Sequence, residues 1–214
     1  MDGVIAHTNP YHTEAFKVFF DRHGVPYKTA EFETHMYGKH NSYIMGYFFK
    51  RLIEGDELRA LEEEKEGLFR EIYAAHIEAM PGFLDFATAL KTDGFRVGVA
   101  TSAPRRNLDL ILDGLGIRPM MESILASEDV SAHKPDPEVY VKSMDCLGAS
   151  AENSIVFEDS LAGVRAGIAA GAQVVGVLSS HGADELPGCV HYISDFTHIE
   201  ASLVRRLLAA SASA

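Results

Sequence analysis

Ser154-Ile155-Val156-Phe157-Glu158-Asp159-Ser160-Leu161-Ala162-Gly163-Val164-Arg165-Ala166-Gly167 reads as a buried strand, an acidic corner and a helix. Ile155, Val156 and Phe157 are a short apolar run of strand formers. Ser160 suits a helix N-cap, and the residues after it are small. In an open parallel sheet, sites form outside the carboxyl ends of strands, and Glu158 and Asp159 fall at such an end. Two adjacent carboxylates repel each other unless a cation joins them. Hard oxygen ligands favour Mg²⁺, which keeps waters and recruits phosphate. A solvated acidic loop with a helix cap is the competing reading of these residues alone.

Outward from this stretch, residues 80 to 209 alternate between helix and strand. Helices are expected at Phe83–Thr92, Arg105–Leu115, Lys134–Leu147, Leu161–Ala170 and His198–Ala209. Strands are expected at Phe95–Ala100, Ile124–Ala126, Ile155–Phe157, Val174–Leu178 and, as an edge, Val190–Ile193. Such alternation argues a parallel sheet covered on both faces. Residues 8 to 79 carry no strand pattern. A first helix starts near Asn9 and Pro10 and stops before Gly24, and further helices are expected at Thr29–Met36, Asn41–Ile53 and Asp56–Ala79. This block is an insertion. The expected domains are an α/β core of 1–7 and 80–214 and a helical cap of 8–79.

His12 shares a face with Ala15, Phe16, Phe19 and Phe20, so it points inward, as a core histidine or towards a cleft. Lys65 interrupts the apolar stripe Leu58, Leu61, Leu68 and Ile72. Such a lysine usually snorkels to solvent; reaching across a cleft to an anion is the alternative.

Composition narrows the classes. The chain has 214 residues, 47% of them hydrophobic, and a formal net charge of −12, with no basic cluster of the kind nucleic-acid binding requires. Its two cysteines, Cys146 and Cys189, stand alone, which argues against a disulfide framework or a zinc site. No secretion signal and no long apolar run is visible. A cytoplasmic protein without a nucleic-acid or membrane partner is expected, as a monomer or weak homodimer.

Asp2, Thr101-Ser102, Lys134 and Glu158-Asp159 all fall at strand ends or just after them. Each suits one task in phosphoryl transfer: a hydroxyl with backbone N–H groups for a phosphoryl oxygen, a lysine for the gathering charge, carboxylates for Mg²⁺, and an aspartate to relay a proton.

In that order, Asp-Gly-Val, Thr-Ser, Lys-Pro and Glu-Asp-Ser resemble the four motifs of the haloacid dehalogenase superfamily. The chain is similar to its β-phosphoglucomutase-like phosphatases with a helical cap. The resemblance implies an α/β fold, a Rossmann-like parallel-sheet core with an inserted helical cap. It implies that Asp2 is the general acid/base and gives its carbonyl to Mg²⁺, and that Thr101 and Ser102 bind phosphate. Lys134 balances charge, and Glu158 and Asp159 bind the metal. His12 matches a histidine that meets substrate in the mutases. Gly38-Lys39-His40-Asn41 falls where those mutases carry a loop ending in a phosphate-binding arginine. An amide cannot grip phosphate with two parallel hydrogen bonds as a guanidinium does; Lys39 or Lys65 would have to substitute.

The family pattern at the first motif is Asp-x-Asp-Gly, with the first aspartate as nucleophile. Met1 fills the x position, so that nucleophile and its apolar strand would precede the sequence. Either the chain starts at an internal methionine of a longer protein, which we expect, or it is a degenerate member. The resemblance therefore implies a Mg²⁺-dependent phosphatase acting on a small phosphate ester such as a sugar phosphate. The alternatives are a β-phosphoglucomutase-type sugar-phosphate mutase and a non-catalytic binder of phosphorylated metabolites.

Overall fold

The structure, a computed structural model, describes residues 1–36 and 41–211. Gly38, Lys39 and His40 lie outside the described residues. The chain divides into two compact units, one of Met1–His7 with Glu78–Ala214 and one of Thr8–Ile77. Among the described residues, no helix is long and apolar enough to cross a membrane.

The helical unit contains α1 (Asn9–Arg22), α2 (Phe32–His35), α3 (Asn41–Phe49) and α4 (Gly55–Tyr73). Helix α1 buries Ala15, Phe16, Phe19 and Phe20 and packs on α4. Phe20 meets the Phe48 ring of α3 at 4.6 Å. Three expected helices are shorter than their patterns. The segment from Thr29 opens as a 3-10 turn, with the Glu31 carboxylate accepting from the Lys28 N–H. Lys50 takes a left-handed φ of 56° straight after α3, a conformation that ends helices. Helix α4 stops at Tyr73, well before Ala79.

The other unit is α/β. Its elements are α5 (Phe83–Thr92), β1 (Gly98–Ala100), α6 (Arg105–Gly114), β2 (Ser123–Leu125), α7 (Glu138–Leu147), β3 (Ile155–Glu158), α8 (Leu161–Ala169), β4 (Gln173–Val177), β5 (His191–Ile193) and α9 (Ala201–Ser211). Strand β1 starts three residues later than expected, because the Phe95 N–H closes the end of α5 on the Leu90 carbonyl. Helix α7 starts at Glu138, not Lys134. Pro135 and Pro137 lack N–H groups, and the Asp136 carboxylate takes the Glu138 N–H in a turn. His198, with a φ of 63°, delays α9 to Ala201.

Among the described residues the strand pairs are all parallel, but they form two sheets where one was expected: β1-β2 and β3-β4-β5. Each sheet turns one hydrogen-bonding edge away from its own strands. The Thr101 N–H points to Leu125 of β2, so alternation turns the backbone groups of Gly98 and Ala100 the other way. Likewise Ser154 gives its carbonyl to Gln173, leaving Ile155 and Phe157 on the edge away from β4. A cavity of about 340 Å³ is lined by both strands, by Phe86 and Leu90 of α5, and by Met1 and Ile5. Beside it Phe86, Phe157 and Phe196 pack with ring centroids 5.3 to 5.7 Å apart. Val139, Tyr140 and Ala166 form a core cluster between α7 and α8.

Candidate active site

The carboxyl end of β3 delivers Glu158 inward. Its side chain folds over the first turn of α8, where a Cβ on Gly163 would lie 2.0 Å from the carboxylate carbon. Both oxygens are held. Oε2 accepts from the Asp159 N–H (3.1 Å), the Ser160 N–H (3.3 Å) and the Ser160 hydroxyl (3.1 Å). Ser160 caps α8 by accepting from the Gly163 N–H, so one side chain orders both the helix start and the carboxylate. Oε1 accepts from Lys134 Nζ at 2.6 Å and from the Tyr140 hydroxyl.

Lys134 and Glu158 are a buried pair, their side chains 8% and 6% exposed. Burial alone would raise the Glu158 carboxyl, but the Lys134 ammonium beside it wins and holds it well below the usual carboxylate range. Lys134 also donates to the Ala100 carbonyl at 3.2 Å and to the Tyr140 hydroxyl at 2.8 Å. The end of β1 and the end of β3 are thus tied through one ammonium.

Asp159 behaves oppositely. Burial first, and the neighbouring Glu158 charge second, push its carboxyl up, and Asp2 adds to the same effect. Its Oδ2 accepts from the Ser180 hydroxyl, and its backbone carbonyl lies 2.9 Å from His181 Nδ1. The carboxylate rests on Gly3, where a Cβ would meet Oδ2 at 2.2 Å. The Gly3 carbonyl accepts from the Ser179 hydroxyl at 2.6 Å. A glycine is needed at residue 3 for both this contact and its φ of 64°.

Thr101 is buried and its Oγ1 accepts from the Ala103 N–H at 3.1 Å, while Ser102 is exposed. The α/β unit therefore gathers the Asp2-Gly3 turn, the β1 end, Lys134, Glu158 and Asp159. Sequence reasoning missed Tyr140, Ser179, Ser180 and His181. Tyr140 carried a faint signal, since it lies six residues after Lys134 on a buried helix face.

In the helical unit Lys65 does not snorkel. It is 2% exposed, with its Nζ 2.6 Å from Glu66 Oε1, 3.1 Å from His12 Nδ1 and 4.5 Å from the centre of the Phe16 ring. Glu66 Oε1 also accepts from Asn41 Nδ2 at 3.0 Å. Burial opposes ionisation of Glu66, but Lys65 and then His12 outweigh it and bring its carboxyl down to about 2. His12 stacks on Phe69 at 3.8 Å. Solvent exposure was the wrong expectation because a carboxylate one residue away neutralises the ammonium.

A divalent cation fits the acidic corner of the α/β unit. Asp159 is a half-buried carboxylate crowded by Glu158 and Asp2, and no lysine pairs with it as Lys134 does with Glu158. Among the described residues no three His, Cys, Asp or Glu side chains converge into a metal cage. Mg²⁺ takes one or two carboxylates and completes its shell with water and phosphate.

The sequence profile of the haloacid dehalogenase-like hydrolases matches residues 1–177. The chain belongs to this family. It is 28% identical over 206 residues to the validoxylamine A 7'-phosphate phosphatase of Streptomyces hygroscopicus subsp. limoneus, covering 93% of this chain and 92% of that one. It is 29% identical over 185 residues to a phosphorylated carbohydrates phosphatase of Thermotoga maritima, covering 84% and 83%. A family IA, variant 3 HAD hydrolase from Entamoeba histolytica superposes with a TM-score of 0.91 at 25% identity, over 98% of this chain and 96% of that one. The haloacid dehalogenase-like chain described here is accordingly a hydrolase with an α/β core.

Proposed function

We propose that this hydrolase is a Mg²⁺-dependent phosphatase acting on a small phosphate monoester, such as a sugar phosphate. The observation that carries the reading is the strand-end cluster, a buried lysine and a crowded acidic pair side by side. The phosphatase names of its relatives agree with it.

In this reading Asp159 and the Asp2 carbonyl hold Mg²⁺. Glu158, whose oxygens are both engaged, acts through a water of the metal and by fixing Lys134. When bound, the cation supplies Lewis-acid polarisation of the phosphoryl oxygens. Lys134 neutralises charge on the phosphoryl group, and the Thr101 hydroxyl proton and the backbone N–H groups after it bind its oxygens. Asp2 moves the proton at the bridging ester oxygen. No covalent step is assigned to the residues described. We further propose that the helical unit chooses the organic group, with His12 and Lys65 as its candidates and Lys39 and His40 beside Asn41 as others. Asn41 donates to Glu66, which weighs against a second phosphate grip of the mutase kind.

A non-catalytic binder is the second reading, in which the same cluster holds a phosphorylated metabolite without turning it over. One assay separates the two: a panel of small phosphate esters incubated with the protein, with Mg²⁺ or with EDTA. Mg²⁺-dependent release of phosphate supports the phosphatase. Mg²⁺-dependent binding of esters without release supports the binder. Release unaffected by EDTA rejects both.

A further inference from the structure

We propose that Tyr140 is a positioning residue for Lys134, acting through its hydroxyl; this rests on the phosphate-binding role proposed above for Lys134. The hydroxyl stands where the buried pair branches. It accepts from Lys134 Nζ at 2.8 Å and donates to Glu158 Oε1. The ammonium has three protons and three acceptors, which are the Ala100 carbonyl, the Tyr140 hydroxyl and the Glu158 carboxylate. A lysine held by a carboxylate alone pivots about it on four rotatable bonds. The phenol closes a triangle with the ammonium and the carboxylate, and the Ala100 carbonyl adds a third contact, which together remove that freedom. The phenol can serve as a fixed point because it is itself fixed, buried at 7% exposure in the cluster with Val139 and Ala166.

The three acceptors are not equal. The carboxylate is charged, the carbonyl belongs to the strand end, and the phenol is neutral. An anionic phosphoryl oxygen outcompetes a neutral oxygen for an ammonium proton, because charge-assisted hydrogen bonds are the stronger kind. In this account the proton turned to the Ala100 carbonyl, a neutral oxygen and at 3.2 Å the longest of the three contacts, is the one that turns to the phosphoryl oxygen as its hydrogen-bond donor. The other two keep Lys134 in place, and Tyr140 continues to donate to Glu158. The hydroxyl thus helps to hold Lys134 at a set angle while another donor of the ammonium meets the phosphoryl oxygen.

Tyr140→Phe tests this, since it removes one oxygen and leaves the ring. Two readouts are needed. The first is ¹⁵N NMR of the Lys134 ammonium without ligand. The variant should exchange these protons with water about tenfold faster, the scale of one lost hydrogen bond to a charged group. The second is calorimetric titration of inorganic phosphate with Mg²⁺ present, where Kd should rise about tenfold. Leu203→Ala, buried on α9, is the structural control; it should lower Tm and leave phosphate affinity unchanged. Exchange and Kd both within about twofold of wild type would overturn the proposal. Failure of the wild type to bind phosphate would instead count against the proposed function, and the exchange rates would still decide the role of Tyr140. If Tyr140→Phe does not fold, the wild-type spectrum decides: a cross-peak between the Tyr140 hydroxyl and the Lys134 ammonium is expected, and its absence would overturn the assignment.

Discussion

Lys134 and Glu158 come from a loop and a strand end 24 residues apart, yet they meet at 2.6 Å as a buried ion pair. Removing one member leaves the other charge buried without its partner, which costs far more than the pair gains. Lys134→Met should therefore lower unfolding free energy by about 3 kcal/mol. The double variant Lys134→Met, Glu158→Gln should recover part of that loss. Urea denaturation of the three proteins checks this. A Lys134→Met loss below about 0.5 kcal/mol, within the range of ordinary surface substitutions, would mean that the pair is not held as described.

Gly163 offers a prediction with an unusual sign. Replacing a helical glycine with alanine normally stabilises by up to about 1 kcal/mol. Here the added Cβ would fall within 2.2 Å of three carboxylate atoms of Glu158. Gly163→Ala should destabilise the protein and weaken Mg²⁺ binding, as read by thermal melts and calorimetry. A raised Tm with unchanged Mg²⁺ affinity would contradict the placement of Glu158.

The Lys65–Glu66 pair predicts an acid dependence. The Glu66 carboxyl is depressed to about 2 in the folded chain and takes an ordinary carboxylate value near 4.3 when unfolded. Its contribution is therefore complete above the unfolded value and is lost as pH falls towards about 2. The shift corresponds to about 3 kcal/mol at most. Wild type should exceed Glu66→Gln in stability at pH 7, and the gap should narrow steeply between pH 5 and pH 3. A constant gap across that range would show that Glu66 is not the depressed group.

Substrate choice gives a fourth test. His12→Ala should alter the ranking of esters across a panel more than it alters Mg²⁺ dependence. A uniform loss on every ester with a changed metal requirement would exclude a role for His12 in specificity. A lowered Tm with the ranking intact would mark it as structural, consistent with its stacking on Phe69.

Much of the α/β unit was legible because its strands are short apolar runs bounded by turn residues. The stretch from Ile155 to Gly167 shows this best: strand, acidic corner, Ser160 cap and helix all fall where the residue types put them. Boundaries slipped where backbone donors were already in use, as at Phe95, or absent, as at Pro135 and Pro137. The division into two sheets is a matter of which strands pair, and a run of apolar residues does not record that. Within the site, charged residues announced themselves. The neutral groups that hold them did not, because Tyr140 and Ser180 reach their partners only through tertiary packing. The same limit misled the reading of Lys65, whose neutralising neighbour is Glu66 but which is buried over the Phe16 ring and beside His12.

The central claim is that one strand-end cluster holds Mg²⁺ and a phosphoryl group together. Calorimetric titration of inorganic phosphate, with and without Mg²⁺, tests it most directly. Mg²⁺ should tighten phosphate binding at least about tenfold, a coupling of about 1.4 kcal/mol. Asp159→Asn should abolish that coupling while Lys134→Met abolishes phosphate binding itself. Equal phosphate affinity with and without Mg²⁺, unchanged in Asp159→Asn, would contradict the account.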